Sequence, residues 1–204
     1  MPKSYDAGSS LSQKILAGVD ILADNVASTL GPRGRNVIIQ QAGKRPIITK
    51  DGVTVAEFVD LEDPFENAGV QIIKQAARQT NAVAGDGTTT ATVLARAILH
   101  DAHRHIVAGA SPIDVKRGID AGVEIIVKNL KEMATPIQSE EDIAHIATIA
   151  ANNDETIGKL VAKAIDCVGK DGSISVEEAR SLETSLDLME GYRFDSGYAA
   201  TAFI

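Results

Sequence analysis

Apolar residues along most of this chain recur at steps of three and four, the spacing of one face of an α-helix. The first such run follows Ser9 and Ser10, which are suitable residues for a helix N-cap. Its apolar positions are Leu11, Ile15, Val19, Leu22, Val26 and Leu30. Because the run stops at Gly31-Pro32, the pattern predicts one long amphipathic helix that ends there.

The next apolar positions predict a β-hairpin. Two short segments, Val37 to Ile39 and Pro46 to Thr49, alternate or run apolar on either side of the polar turn Gly43 to Arg45. Asp51-Gly52 is then predicted to form a further turn.

Three further helices are predicted between the hairpin and Pro136. The first begins near Pro64 and ends before Gly85, and the second runs from about Thr88 to Val107. The third opens at Ser111-Pro112, with Ser as N-cap and Pro at the first helical position. Its apolar face consists of Val115, Ile119, Val123, Ile126 and Leu130.

Pro136 interrupts this pattern and predicts a domain boundary. Ser139 to Asp142 is predicted to cap a helix that contains Ile143, Ile146 and Ile149, and another helix is predicted from Asp154 to Val168. Two alternating segments, Ser173 to Val176 and Ser185 to Leu188, predict strands.

The composition favours closely packed helices and disfavours two classes of partner. Aromatic residues make up only 3% of the 204 residues and Trp is absent, so Ala, Val, Ile and Leu must form the core. The formal charge of −8 argues against nucleic acid or an anionic membrane as partner. The sequence contains neither a signal-peptide pattern nor an apolar stretch of membrane-spanning length, which predicts a cytoplasmic protein. Cys167 is the only cysteine, so an internal disulfide and a Cys-based zinc cluster are excluded.

Two glycine-containing stretches are candidates for ligand contact, although each has a simpler interpretation. "TLGPRGRN", Thr29 to Asn36, has the residues of a helix C-cap and a turn. Its glycines would also let the backbone approach a ligand, with Thr29, Arg33 and Arg35 as polar contacts. "ITKDG", Ile48 to Gly52, is equally consistent with a strand that ends in a turn.

The stretch "GDGTTT", Gly85 to Thr90, is more specific because a glycine turn opens directly into a helix. Free backbone N–H groups at a helix start favour an anion, yet Asp86 would repel a phosphate. A Mg²⁺ ion between Asp86 and the phosphates would remove the conflict. The stretch lacks the Walker P-loop pattern, which disfavours a P-loop enzyme. A capped turn without a ligand and a small phosphotransferase with a different ATP site remain alternatives.

Together these stretches closely resemble the group I chaperonins, the 60 kDa Hsp60 type. The matching motifs, in this order, are Thr29 to Asn36, Ile48 to Val53 and Gly85 to Leu94, with Lys116 to Asp120 and Val168 to Gly172 in addition. The resemblance extends from about Tyr5 to Phe203.

The resemblance implies a mainly α fold and a division into three parts. Residues 1–135 would be the N-terminal part of a helical equatorial ATP-binding domain with a β-hairpin. Residues 136–190 would begin a small α/β intermediate hinge domain, and residues 191–204 would start an apical domain. Since the chain ends at Ile204, it is expected to be the truncated N-terminal portion of the family's length.

The resemblance also implies an ATP-dependent chaperone subunit that acts in stacked seven-membered rings. Its partners would be unfolded polypeptides and a co-chaperonin of the GroES or Hsp10 type, and its cofactors would be ATP, Mg²⁺ and K⁺. The alternative is a truncated subunit that does not hydrolyse ATP and serves as an assembly or interaction module. We expect the helices that open at Ser9 and Thr88 to leave apolar faces uncovered when the family's later segments are missing.

Each site residue implied by the resemblance has a role. Thr29, Leu30, Gly31 and Pro32 would line the nucleotide, while Gly87, Thr88, Thr89 and Thr90 would hold the phosphates. Asp86 would bind Mg²⁺, and Asp51 would position the water that attacks the γ-phosphate. Lys50 would contact phosphate and K⁺ through its backbone, with Thr29 and Thr89 as further K⁺ contacts.

The sequence departs from the family pattern at two places. Ala150 stands where a Ser is common near the nucleotide, and Ala200 to Phe203 replace a Ser-Pro-Tyr-Phe-like stretch. His100, His103 and His105 are interpreted as residues that favour a helix C-terminus rather than as zinc ligands.

Overall fold

The computed structural model describes residues 5–41, 43–169, 172–176, 184–189, 191 and 197. The chain divides into two compact units, Met1–Ala134 and Thr135–Ile204. Within the described residues the first unit contains five helices and two strands, and the second contains two helices. The predicted mainly α fold with one small hairpin is therefore confirmed.

The elements of the first unit follow the predicted order, with one addition. In chain order they are α1 (Gly8–Ala27), β1 (Val37–Ile39), β2 (Ile47–Thr49), α2 (Gly52–Phe58), α3 (Pro64–Ala84), α4 (Thr88–Val107) and α5 (Pro112–Met133). The short helix α2 was not predicted, because seven residues are too few to show a helical period. The N-cap of α1 is Ala7 with no side-chain cap, so Ser9 and Ser10 lie inside the first turn rather than capping it.

Helices α1, α2 and α3 enclose the core of this unit. Val19, Leu22 and Val26 of α1 are fully buried, and they form one cluster with residues of the two other helices. The residues contributed by α2 and α3 are Val55, Ala56, Val70 and Ile73. The C-terminal half of α1 is therefore fixed by packing, and this half leads directly into the Thr29 to Asn36 stretch.

Two glycines let α1 and α3 cross in close contact. A β-carbon built on Gly18 would lie 1.9 Å from the backbone oxygen of Glu66, and one built on Gly69 would lie 2.1 Å from the backbone oxygen of Ile15. Because both obstacles are backbone atoms, a larger residue at either position would force the helices apart.

The hairpin places one face on the core and the other in solvent. Its strands are antiparallel, with Val37 opposite Thr49 and Ile39 opposite Ile47. Val37 and Ile39 pack against the buried cluster, whereas Ile38 and Ile48 are 67% and 65% exposed. The predicted hairpin is confirmed, with β2 beginning one residue after Pro46.

The long helix α5 has no buried residue. Six large apolar side chains of its second half are exposed, namely Val123, Ile125, Ile126, Val127, Leu130 and Met133. We call these six residues the α5 apolar surface. The uncovered apolar face expected for α1 is limited to Ile21, which is 39% exposed, because Val19, Leu22 and Val26 are buried in the core. For α4 the expectation holds at Leu94 and Ile98, which are about half exposed.

The α5 apolar surface predicts that the chain associates or binds a hydrophobic dye. Apolar patches of this kind on a protein surface mark contact sites or cause aggregation. Ile126→Lys is expected to weaken both effects without loss of stability, since Ile126 is 58% exposed. Dye fluorescence and light scattering measure the change, with Lys128→Gln on the same helix as control. A chain that stays monomeric and does not increase the fluorescence of the dye would contradict this prediction.

In the described part of the second unit, two capped helices pack against each other, α6 (Glu140–Ala150) and α7 (Glu155–Val168). Ser139 and Asp142 form a capping box at the start of α6, as the sequence predicted. Close packing of the two helices requires Gly158, whose β-carbon would lie 1.9 Å from the Thr148 hydroxyl oxygen.

The two strands predicted in this unit are wrong for the described residues. Neither 173–176 nor 185–188 has strand structure. The alternation does not correspond to a buried face, because Val176 is 91% and Leu188 is 57% exposed. Alternation predicts a strand only where one face is covered. Of the predicted apical segment 191–204, only Gly191 and Gly197 are among the described residues.

Asp63, the N-cap of α3, predicts a specific dependence of stability on pH. Its carboxylate accepts hydrogen bonds from the N–H groups of Phe65 (2.8 Å) and Glu66 (3.2 Å). These bonds, with nearby Lys14, lower the pKa of Asp63 below its ordinary value. Its contribution to stability is therefore present above the ordinary carboxyl pKa and is lost as the pH falls through the lowered pKa.

We expect Asp63→Asn to flatten the fall of the melting temperature below about pH 4, where an aspartate carboxyl begins to protonate. Asn also caps helices well, so the melting temperature at pH 7 is expected to change little. Thermal melts of both proteins from pH 7 to pH 2.5 make the comparison. Parallel curves over this range would contradict the assignment.

Candidate nucleotide-binding site

Three chain segments that are distant in sequence meet at Gly52. A β-carbon built on Gly52 would lie 2.2 Å from the hydroxyl oxygen of Thr89 and 3.3 Å from a methyl carbon of Val26. The first residue of α2 therefore lies against the first turn of α4 and the last turns of α1. The "ITKDG" stretch, the "GDGTTT" stretch and the helix that leads to "TLGPRGRN" are thus brought together.

The segment after α1 folds into a compact turn. Thr29 is buried, and its hydroxyl donates to the Val26 carbonyl at 2.7 Å. The N–H of Arg35 donates to the Ser28 carbonyl at 2.9 Å, which closes the loop. Gly31 has a φ of 75°, a conformation that favours glycine. Leu30, Gly31 and Pro32 are exposed at this turn, whereas Thr29 faces the interior.

Asp51 has a clear structural role as the N-cap of α2. Its Oδ2 accepts hydrogen bonds from the backbone N–H and the hydroxyl of Thr54, at 2.8 and 2.7 Å. The turn predicted at Asp51-Gly52 is wrong, because Asp51 caps a helix whose first residue is Gly52. Its Oδ1 accepts no hydrogen bond from the described residues, and the side chain is exposed. One carboxylate oxygen is therefore engaged in capping while the other is available to a ligand or to water.

The loop between α3 and α4 is built on two left-handed glycines. Gly85 (φ 68°) ends α3 and Gly87 (φ 79°) precedes α4. Between them Asp86 is exposed, and its Oδ1 accepts the N–H of Gly87 at 2.6 Å. The loop thereby points a carboxylate into solvent directly beside a helix start.

Among the described residues, the first backbone N–H groups of α4 have no hydrogen-bond acceptor in their own helix. No side chain caps this helix, and its first backbone hydrogen bond runs from the N–H of Ala91 to the Gly87 carbonyl. The N–H groups of Thr88, Thr89 and Thr90 therefore have no acceptor within the helix. Thr88 is buried, Thr89 is half-buried and Thr90 is exposed, so the hydroxyls of the last two are the accessible ones.

The side chains near this loop could bind a metal ion only together with an anionic ligand that supplies further oxygen atoms. The described residues contain no group of three or more His, Cys, Asp or Glu side chains that could hold a metal ion. Asp86 supplies one accessible carboxylate, and Mg²⁺ in phosphate sites is held by one or two carboxylates, phosphate oxygens and water. The donor set therefore fits a Mg²⁺ ion that arrives with a phosphate ligand.

The structure brings the segments that carry most of the predicted site residues to one region. Their local surroundings differ from residue to residue. Lys50 is exposed, with its backbone between β2 and α2, next to Asp51. Gly52 was not among the predicted contacts, although its lack of a side chain decides how closely α2 approaches Thr89. The local sequence around Gly52 predicts only a turn, because the contact with Thr89 joins residues that are distant in the chain.

Comparison with known proteins agrees with the arrangement. A family model described as the TCP-1/cpn60 chaperonin family matches residues 22–203. Among solved structures, a crystal structure of a group III chaperonin in the open state is similar, with 26% sequence identity and a TM-score of 0.65. The match covers 78% of this chain and 32% of the group III chaperonin, so this chain spans about a third of the length of that protein.

Proposed function

Because the chain belongs to the TCP-1/cpn60 chaperonin family, we propose that it is the nucleotide-binding portion of an ATP-dependent chaperone subunit. Such a subunit assists the folding of polypeptides and hydrolyses ATP. The observation that carries this proposal is the contact of Gly52 with Thr89, which joins the "ITKDG" turn to the uncapped start of α4.

The uncapped start of α4 is the phosphate site in this proposal. The N–H groups of Thr88, Thr89 and Thr90 would donate to phosphate oxygens, supported by the positive end of the helix dipole. The left-handed Gly87 keeps this approach clear of side-chain atoms. Thr89 and Thr90 add accessible hydroxyl groups, whereas buried Thr88 contributes mainly its backbone.

Asp86 is the residue that would hold Mg²⁺. When bound, the ion would supply the positive charge that lets an exposed carboxylate and a polyphosphate share one loop. Lys50 lies in the turn before Asp51, and its backbone, with Thr29 and Thr89, would provide the contacts to K⁺. The exposed turn at Leu30, Gly31 and Pro32 would line the rest of the nucleotide.

Asp51 would combine two roles through its two carboxylate oxygens. Oδ2 caps α2 and so fixes the orientation of the side chain, which is the requirement for a group that positions a water molecule. Oδ1 would accept a hydrogen bond from the water that attacks the γ-phosphate. This division fits phosphoryl transfer, in which the protein mainly positions and stabilises charge.

The other partners follow from the family rather than from the described site. Unfolded polypeptides, a co-chaperonin of the GroES or Hsp10 type and stacked seven-membered rings are proposed for the complete subunit, of the group I kind. The proposed location is the cytoplasm. Within the described residues, every helix is too short or too polar to span a bilayer.

A chimeric subunit tests this function. Residues 1–204 replace the corresponding segment of a group I chaperonin, and the ring is assayed for ATP hydrolysis and for refolding of a denatured protein. We expect both activities, each dependent on ATP and Mg²⁺. A chimera that assembles into rings but neither hydrolyses ATP nor refolds the protein would contradict the proposal.

The α5 apolar surface favours a second function, that of a non-hydrolysing assembly module. An uncovered apolar helix face is suited to contact other chaperonin segments. Gel filtration of the chain with and without a full-length chaperonin tests this alternative. Co-elution that persists in the absence of nucleotide, together with no ATP turnover, would favour the module over the enzyme.

A further inference from the structure

Two polar contacts connect the exposed sides of α1 and α4. The guanidinium of Arg96 pairs with the carboxylate of Asp24, and Nε2 of His100 lies 2.8 Å from Oδ1 of Asp20. The two aspartates are four residues apart on α1, and Arg96 and His100 are four residues apart on α4. The later aspartate pairs with the earlier residue of α4. The two pairs are therefore neighbouring rungs, one helical turn apart, between antiparallel helices. We call these four residues the α1–α4 ladder.

The Asp24–Arg96 rung is the one closer to the candidate site. One turn beyond Asp24, α1 reaches Ser28 and the turn that begins with Thr29. Two turns before Arg96, α4 begins at Thr88. The rung thus links the ends of the two helices that present Thr29 to Pro32 and Thr88 to Thr90.

The first turn of α4 has few restraints of its own. It lacks a side-chain cap and follows two left-handed glycines, Gly85 and Gly87. The hydroxyl of Thr92 donates to the Thr88 carbonyl at 2.9 Å, a local bond that can bend a helix. The position of this turn therefore depends on contacts with other elements: Thr89 lies against Gly52 of α2, Thr92 is fully buried, and Arg96 pairs with Asp24 of α1.

We propose that the Asp24–Arg96 pair positions the first turn of α4 against the end of α1 and thereby sets the phosphate-binding geometry. This inference rests on the proposed function of the site. Arg96 and Asp24 are 27% and 73% exposed, and exposed ion pairs contribute little to unfolding free energy. The pair is a positioning element, so its loss acts on the site more than on the stability of the fold.

Two single variants distinguish positioning from simple charge attraction. Arg96→Gln removes a positive charge and Asp24→Asn removes a negative one. If the pair only attracted or repelled the nucleotide through space, the two variants would change affinity in opposite directions. If the pair positions α4, both variants weaken binding, and the double variant is no worse than either single one.

The first measurement is amide hydrogen exchange of the 204-residue chain without nucleotide. The reporter is the N–H of Ala91, which makes the first backbone hydrogen bond of α4. We expect exchange about fivefold faster in both variants, within the usual coupling range of contacting residues. The second measurement is the Kd of ATP with Mg²⁺, obtained by displacement of a fluorescent ATP analogue, and we expect it to rise about fivefold as well.

Matched controls are available on the same helix. Arg104 and Asp101 form an ion pair within α4, farther from its first turn. Arg104→Gln and Asp101→Asn remove the same charges and are expected to leave both the Ala91 exchange rate and the Kd within about twofold of the parent, since mutations at a distance usually act independently. The melting temperature without nucleotide is expected to stay within about 3 °C for all variants.

The outcomes separate this inference from the proposed function. Unchanged Ala91 exchange in Arg96→Gln and Asp24→Asn would overturn the positioning role. So would opposite shifts of the Kd in the two variants, or equal effects in the Arg104→Gln control. If the parent chain fails to bind ATP while Ala91 exchange responds as expected, the positioning of α4 stands and the nucleotide function is contradicted.

Discussion

Replacement of Asp51 is expected to lower ATP turnover of the chimeric subunit by about a hundredfold, the lower range for loss of a group that assists proton transfer or positions a nucleophile. ATP affinity is expected to stay within a few fold, because Asp51 does not belong to the proposed phosphate contacts. Since Asp51 also caps α2, the choice of substitution decides what is measured.

Asp51→Asn and Asp51→Ala separate the two roles of this residue. Asn is a good helix cap, so the hydrogen bonds to Thr54 can be kept while the charge is lost. If Asp51 positions the attacking water, both variants lose turnover, and the thermal stability of Asp51→Asn stays close to that of the parent. If only Asp51→Ala is affected, in proportion to lost stability, Asp51 is a cap and nothing more.

Gly18→Ala is expected to have the largest effect on stability. The new β-carbon would lie 1.9 Å from the backbone oxygen of Glu66, where no side-chain movement can relieve the clash. Helices α1 and α3 would have to separate, which would disturb the buried cluster around Leu22 and Val70. We expect a loss of at least about 3 kcal/mol of unfolding free energy, at the upper end for overpacked cores.

Gly118→Ala is the matched control for this substitution. Gly118 lies in α5, and a β-carbon there meets nothing within 4 Å. Alanine is favoured over glycine in a helix interior by up to about 1 kcal/mol, so this variant is expected to gain stability. Urea unfolding of both variants gives the comparison. A Gly18→Ala variant as stable as the parent would show that α1 and α3 do not cross as described.

The sequence predicted the long helices because their apolar residues repeat over many turns. The apolar run from Leu11 to Val26 in α1 and the Pro64 that opens α3 are both clear local signals. Helix α2 was missed because its seven residues, Gly52–Phe58, include Val53, Thr54 and Val55, which favour strands. Its formation depends on the Asp51 cap and on burial of Val55 in the core, and tertiary packing of this kind is not visible in a local pattern.

The candidate site was predicted in parts, through residue types and the family resemblance, but its assembly was not. Nothing in the local pattern of Gly52 indicates that it contacts Thr89, because that contact joins residues 37 positions apart. The Asp24–Arg96 pair was missed for the same reason, since it joins two helices that are distant in sequence. The two failed strands show the opposite error, in which an alternating pattern lacked a covered face.

The exposed carboxylate of Asp86 beside an uncapped helix start is the central feature of this account. Two like charges about 4 Å apart cost about 4 kcal/mol at the effective dielectric near a protein surface, which opposes ATP binding unless a cation intervenes. A ligand at a hundredfold excess over its Kd stabilises a protein by about 2.7 kcal/mol.

The most direct test is the melting temperature of the chimeric subunit and its Asp86→Asn variant with ATP, each with Mg²⁺ and with a chelator. The parent is expected to be stabilised by ATP only when Mg²⁺ is present. Asp86→Asn is expected to lose hydrolysis yet to be stabilised by ATP in the chelator at least as well as the parent, because the repelling charge is gone. If chelation leaves the response of the parent to ATP unchanged, Asp86 is only a turn residue and the proposed metal-assisted nucleotide site is wrong.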